Sequence, residues 1–209
     1  MTRLLRFALV CSLAVSSLAL AQAPAKPMED KKAITYNEIE RGFFFEVRGG
    51  FWSIINPPSN GGTTYFSTGL AMQVDMGFDI GERISPSLFF LAATNSMKSD
   101  YTGLSESGTV SGDYSTFSPG AQVKIRIVGF DDSQEVKRTW IFARGGAGVV
   151  FYSPYSLLPT IDVLITAGAG VEYFTRLRHF SIGLEANFNF MALTQAVGFS
   201  ILPTVKYAF

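Results

Sequence analysis

The sequence predicts an all-β protein: an eight-stranded antiparallel up-and-down transmembrane β-barrel of the outer membrane. Three observations lead there. The N-terminus reads as an export signal, hydrophobicity alternates with a period of two from Gly42 onward, and the last strand ends on an aromatic residue, Phe209. A period of two belongs to strands with two different faces, since successive side chains point to opposite sides.

The export signal spans residues 1–21. Arg3 and Arg6 precede an apolar run from Phe7 to Leu20, and Ala19-Leu20-Ala21 places small residues where a signal peptidase reads. The run falls short of the ~20 apolar residues that cross a bilayer as a helix, which argues against an anchor. Cys11 lies inside the apolar run, so the mature chain is expected to carry no cysteine, no disulfide and no thiolate metal site. Residues 22–40 are polar, charged and without periodicity, and are expected to form a periplasmic N-terminal tail with a short helix near Ala33–Glu40.

Residues 41–209 carry the barrel. In the first strand Phe43, Phe45, Val47 and Phe51 point one way and Glu46, Arg48 and Gly50 the other. The second sets Leu70, Met72, Val74, Met76 and Phe78 against Gly69, Ala71, Gln73, Asp75, Gly77 and Asp79. The third, Pro86 to Ser96, is apolar on both faces around Leu88–Leu91, which leaves its register open. In the fourth, Ala121, Val123, Ile125 and Ile127 oppose Gln122, Lys124 and Arg126. The fifth, Thr139 to Tyr152, turns Ile141, Ala143, Ala147, Val149 and Phe151 to lipid and Arg144 inward. The sixth opposes Ile161, Val163, Ile165, Ala167, Ala169, Val171 and Tyr173 to Asp162, Thr166, Gly168, Gly170 and Glu172. The seventh opposes Phe180, Ile182, Leu184, Ala186, Phe188 and Phe190 to Ser181, Gly183, Glu185, Asn187 and Asn189. The last opposes Val197, Phe199, Ile201, Val205, Tyr207 and Phe209 to Gly198, Ser200, Thr204 and Lys206. A final aromatic on such a strand resembles the signal by which bacterial barrels are recognised for insertion.

The chain is 47% hydrophobic and only 16% charged, with 19 phenylalanines that need an apolar surrounding. A lipocalin-like barrel would turn the apolar face inward. Here the polar faces are rich in Gly, Ala and Ser, which suits a narrow lumen, and the wide apolar faces suit lipid. A strand in hydrocarbon must pair both edges, and an even-stranded closed barrel does this. With the tail in the periplasm, Asn56–Thr64, Lys98–Ser115, Ser153–Thr160 and Leu193–Ala196 fall outside the cell. Gly81–Ser85, Phe130–Arg138 and Thr175–His179 fall inside, the second of them longer than a periplasmic turn usually is.

Inward acids (Glu46, Asp75, Asp79, Asp162, Glu172, Glu185) nearly balance inward bases (Arg48, Lys124, Arg126, Arg144, Lys206). The expectation is a salt-bridged plug rather than a gated pore, because ~8 strands leave an interior that side chains can fill. One constellation suggests chemistry. Some eight-stranded outer-membrane barrels deacylate lipid A with a His, a Ser two residues later and a Glu, and this chain has His179, Ser181 and Glu185. A hydrolase needs base, nucleophile and orienting acid within hydrogen-bond reach. The topology puts His179 in a periplasmic turn and the other two in the lumen, so the expectation is no catalytic residue. No metal-ligand or cofactor site is expected either, and Gly145-Gly146-Ala147-Gly148 is no phosphate loop because no helix follows it.

Four stretches carry a resemblance: NEIERGFFFEVRGGFW (Asn37–Trp52), SDYTG (Ser99–Gly103), GVEYFTRLRHFSIGLEANFNFMALT (Gly170–Thr194) and LPTVKYAF (Leu202–Phe209). They resemble the adventurous gliding motility outer-membrane proteins of social gliding bacteria. The resemblance implies a non-enzymatic part of a gliding machinery that couples periplasmic motor traffic to surface adhesion. It also implies transfer of the protein between touching cells. Expected partners are outer-membrane lipid and lipopolysaccharide, together with other outer-membrane and periplasmic proteins of that complex, meeting the tail, the turn Asp131–Glu135 or the loop Lys98–Ser115. No nucleic acid and no small-molecule substrate is expected. A surface adhesion or protection barrel outside motility fits the same alternation, and a lipid A-modifying hydrolase or a narrow channel are further alternatives.

Overall fold

Eight strands run in sequence order and hydrogen-bond to their chain neighbours, with the first also pairing the last: β1 (Phe43–Ile54), β2 (Ser67–Phe78), β3 (Ile84–Ser96), β4 (Tyr114–Asp131), β5 (Lys137–Ser153), β6 (Ile161–Phe174), β7 (Phe180–Met191) and β8 (Ala196–Ala208). All pairs are antiparallel and the sheet is closed. The computed structural model describes residues 39–56, 67–96, 113–153 and 161–209. The expected signal peptide, the tail up to residue 38 and most of the three long loops lie outside the described residues.

The outside and inside of the barrel are reversed relative to a soluble one. Leu70 and Leu88 are 69% and 65% exposed, and Met76, Phe78, Phe90, Ile182, Phe188 and Val205 join them around the circumference. Glu46, Asp75 and Glu185 are 0% exposed. Such a surface is compatible with hydrocarbon, where every backbone group must be paired within the sheet.

Closure is completed at the short-turn end. The amide of Phe209 donates to the Phe43 carbonyl (2.9 Å) and that of Ala208 to the His179 carbonyl (2.8 Å). The ladder weakens at two places, and a proline explains each. Pairing of β1 with β8 is continuous from Phe44↔Ala208 to Arg48↔Thr204, then resumes at Phe51↔Ile201. In the gap stands Pro203, whose missing N–H faces β1, because odd-numbered β8 amides point to β1 and even-numbered ones to β7. Pairing of β4 with β5 lapses at Ser118 and Pro119 in the same way. Both prolines turn their rings outward to lipid.

Two expectations of element length change. β4 begins at Tyr114, well before Ala121, so the end of the expected Lys98–Ser115 loop is strand. The turn expected at Phe130–Arg138 shrinks to 132–136, because β4 runs to Asp131 and β5 starts at Lys137. Bulges between Arg126 and Val128 and between Phe130 and Asp131 let β4 extend while bending, and Ile127 and Val128 both face out as a result.

The third strand's open register is fixed by packing. Leu88 and Phe90 face out, and Phe89 and Leu91 face in. The Phe89 ring lies over Gly120 of β4, where an added Cβ would come within 2.4 Å of it. Phe142 covers Gly170 likewise, at 2.7 Å. A glycine is required wherever an inward ring crosses the neighbouring strand this closely.

Candidate functional site

The lumen is divided into two layers. Towards the short turns, charged residues from seven strands meet in one network. Arg48 pairs with Asp75 (2.7 Å) and Glu185 (2.8 Å), and Arg144 with Glu46 (2.7 Å), Glu185 (3.0 Å) and Asp75 (3.4 Å). Lys124 bridges Glu46 (2.8 Å) and Glu172 (3.2 Å). Arg126 joins Glu172 (2.7 Å) to Asp79 (3.4 Å), and Lys206 closes on Asp79 (2.6 Å). Every inward base expected from the alternation is in this network, and every inward acid except Asp162. Gln73 and Gln122 donate to the remaining Asp75 oxygen at 3.0 and 2.9 Å. Inward rings fill between the charges: Lys206 Nζ sits 4.1 Å from the centroid of Phe44, and Lys124 Nζ 4.9 Å from that of Phe142.

Towards the long loops bulky apolar side chains enter the lumen among buried polar ones such as Asn95, Thr116 and Ser118, which corrects the expectation of a face made of small residues. Trp52, Ile54, Phe89, Leu91, Tyr152, Leu164, Met191 and Leu202 pack in one buried cluster there. Each shares the parity of a charged or small inward residue on its own strand: Trp52 follows Arg48, and Tyr152 follows Arg144. Extending the alternation past the polar residues would have revealed them.

Asp162 stands apart, contrary to its expected place in the charge balance. It lies at the long-loop end, where its carboxylate accepts from the Leu193 amide (2.8 Å), the Thr194 amide (3.2 Å) and the Thr194 hydroxyl (2.6 Å). It therefore pins the short β7–β8 turn. Nearby, Asn56 accepts from the Val197 amide (2.6 Å) and donates to the Gln195 carbonyl (3.0 Å). Asp132 plays the same part at the other end. Its carboxylate accepts from the amides of Gln134 (2.8 Å) and Val136 (3.3 Å) and from Arg138 Nε (2.8 Å), while Glu135 takes a φ of 60°. The Gln134 amide above all holds this carboxyl below the usual aspartate range. Arg138 also donates to the Thr175 carbonyl (3.1 Å), tying two short turns together.

At this end the barrel opens into a cup of about 650 Å³ lined by Glu40, Arg41, Glu82, Asp131, Glu135, Lys137 and Arg178. Its charges are mixed, and Arg178 and Arg41 already face Glu40 and Glu82.

The three residues of the hydrolase alternative are not brought together. His179 lies outside the barrel wall, with Nδ1 donating to the Ala208 carbonyl (2.8 Å) and its ring stacked on Tyr207 at 5.4 Å. Ser181 is in the lumen and donates to Glu172 (3.0 Å). Glu185 is held by Arg48 and Arg144. Among the described residues no group of three or more His, Cys, Asp and Glu has the geometry of a metal site.

No protein-family model matches the chain, and no curated protein sequence does. Solved structures do match. Neisserial surface protein A superposes with a TM-score of 0.59 at 10% identity, over 82% of this chain and 100% of that one. The outer membrane protein OprG from Pseudomonas aeruginosa gives 0.50 at 11% identity, over 83% and 99%. The fold is that of an eight-stranded outer-membrane barrel. At such identity the likeness carries the architecture alone, and function has to be argued from the lumen and the surface.

Proposed function

We propose that this protein is a non-enzymatic outer-membrane component of a gliding-motility machinery, a static barrel that anchors or couples the complex to the cell surface. The observation that carries the static part is the lumen: its charges are spent on one another and its other half is packed with apolar side chains. The motility part rests on the resemblance of Asn37–Trp52, Ser99–Gly103, Gly170–Thr194 and Leu202–Phe209 to the gliding proteins. Coupling would then run through what the barrel presents at its two ends. The cup, the tail and the 132–136 turn would face periplasmic partners, while the long loops would face lipopolysaccharide and surface partners.

Deleting the gene and tracking single cells on a surface tests this reading. Loss of single-cell gliding, restored by the wild-type gene, is the expected result. A deletion strain that glides at the normal rate would overturn it and favour a barrel serving surface adhesion or protection. Orientation is tested on intact cells with antibody against an epitope placed in residues 98–115 or in residues 22–40. The loop epitope should label and the tail epitope should not.

A further inference from the structure

We infer that the β6–β7 turn, residues 175–179, forms an interfacial site for the headgroup of an anionic phospholipid. The inference requires a barrel that spans a membrane and is independent of any role in motility. A continuous shelf of rings marks where the apolar belt of the barrel meets the headgroups. His179 stacks on Tyr207 at 5.4 Å, Tyr207 meets Phe180 at 5.0 Å and Phe209 at 4.9 Å, and Phe209 meets Phe43 at 5.5 Å. Amphipathic rings gather at this depth in membrane barrels.

The turn directly above the shelf reads Thr175-Arg176-Leu177-Arg178-His179. Leu177 is 66% exposed, an apolar side chain left uncovered by the described residues. On either side of it stand exposed guanidinium groups, and the turn holds no carboxylate. Of the two, Arg178 is anchored by Glu40 at 2.5 Å. Arg176 has no carboxylate partner among the described residues. The other short turns differ: 79–83 contains Asp79 and Glu82, and 132–136 contains Asp132 and Glu135.

The turn is also built before any lipid arrives. The Thr175 amide donates to the Phe180 carbonyl (2.9 Å), the Phe180 amide to the Leu177 carbonyl (3.1 Å), the Leu177 amide to the Thr175 hydroxyl (3.3 Å) and the Glu40 amide to the Arg178 carbonyl (3.1 Å). His179 is held by its bond to the Ala208 carbonyl. Arg176 is thus presented on a fixed backbone at headgroup depth, beside an apolar anchor and above a flat aromatic surface. A lipid phosphate with a net negative charge matches that arrangement, and a zwitterionic headgroup matches it less well.

The refolded full-length mature protein would be transferred into nanodiscs of mixed phosphatidylglycerol and phosphatidylcholine, and the lipids it retains counted by native mass spectrometry. Wild type should retain phosphatidylglycerol in preference. A surface arginine contributes about a fivefold preference for anionic lipid, so Arg176→Gln should lose roughly that much while Arg176→Lys keeps most of it. Arg83→Gln, an exposed arginine of the 79–83 turn where the neighbouring Glu82 offsets its charge, should change the preference by much less. Equal retention of both lipids by wild type, an unchanged preference in Arg176→Gln, or an equal loss in Arg83→Gln would each overturn the site. Inorganic phosphate in excess should not displace the lipid; displacement would mean an anion site rather than a lipid one.

Discussion

Arg144 and Arg48 each reach several carboxylates from strands on different sides of the barrel, at distances of 2.7 to 3.5 Å. Removing one of them leaves Glu46, Asp75 and Glu185 buried with one counter-charge fewer, which destabilises far more than loss of a surface pair. Arg144→Met should lower barrel stability by about 3–5 kcal/mol, read from the urea midpoint of the folded band on an unheated gel. A change below about 1 kcal/mol would mean the pairs are exchanged for water at little cost. Ser181→Ala removes a hydroxyl that donates to Glu172, and the lipid A acylation pattern of cells expressing it should match wild type. Asp132 gives a pH dependence. Its carboxyl titrates below its unfolded range, so the stability it lends the 132–136 turn is present at neutral pH. That contribution fades as pH falls from roughly 4 through the folded pKa. Amide exchange of Gln134 and Val136 should quicken over that range in wild type and be fast throughout in Asp132→Asn. At this scale the charged lumen was legible in the sequence, because a charge within an alternating run has only one side to point to. Phe44, Trp52 and Phe142 were not, since an aromatic ring suits lipid and lumen equally and only its parity with Glu46, Arg48 and Arg144 gives it away.

Strands whose two faces differ in polarity were read closely: β2, β6 and β7 begin and end within a few residues of where the alternation does. β3 gave no register, because Leu88-Phe89-Phe90-Leu91 is apolar on both sides. What orders it is a tertiary fact, the Phe89 ring lying on Gly120 and Gly148. Tyr114–Gly120 is rich in Ser, Thr, Gly and Pro, the composition of a loop, and it is pairing with β3 and β5 that makes it the start of β4. Pro119 and Pro203 are the physical weak points of these elements. At Pro203 the Gly49 carbonyl loses the donor that a ladder position would give it, inside the apolar belt. Pro203→Ala restores an N–H and removes the ring Cδ that stands 3.1 Å from a Cβ built at Gly50. It should therefore raise stability by about 1–3 kcal/mol in the same urea assay. A destabilised variant would show that the seam depends on the proline ring rather than tolerating it.

The described barrel is a closed wall, and the gathering of its lumenal charge at the short-turn end, with bulky apolar side chains at the other, follows from where each strand places its inward residues. Charge clusters at the start of β1 and the ends of β2, β4, β6 and β8, all at the short-turn side; apart from rings such as Phe44 and Phe142 that pack between the charges, the large buried apolar cluster lies at the opposite ends. Alternation alone could establish closure and sidedness, but not this stacking, because register between strands decides which inward residues share a height. The stacking is what makes the barrel a plug. Single-channel recording of the purified protein in a planar bilayer tests this most directly. A silent bilayer across the applied voltage range, in the presence of protein shown to be inserted, is the expected result. Discrete, voltage-stable conductance steps that recur with each insertion would contradict a filled lumen and return the protein to the class of narrow channels.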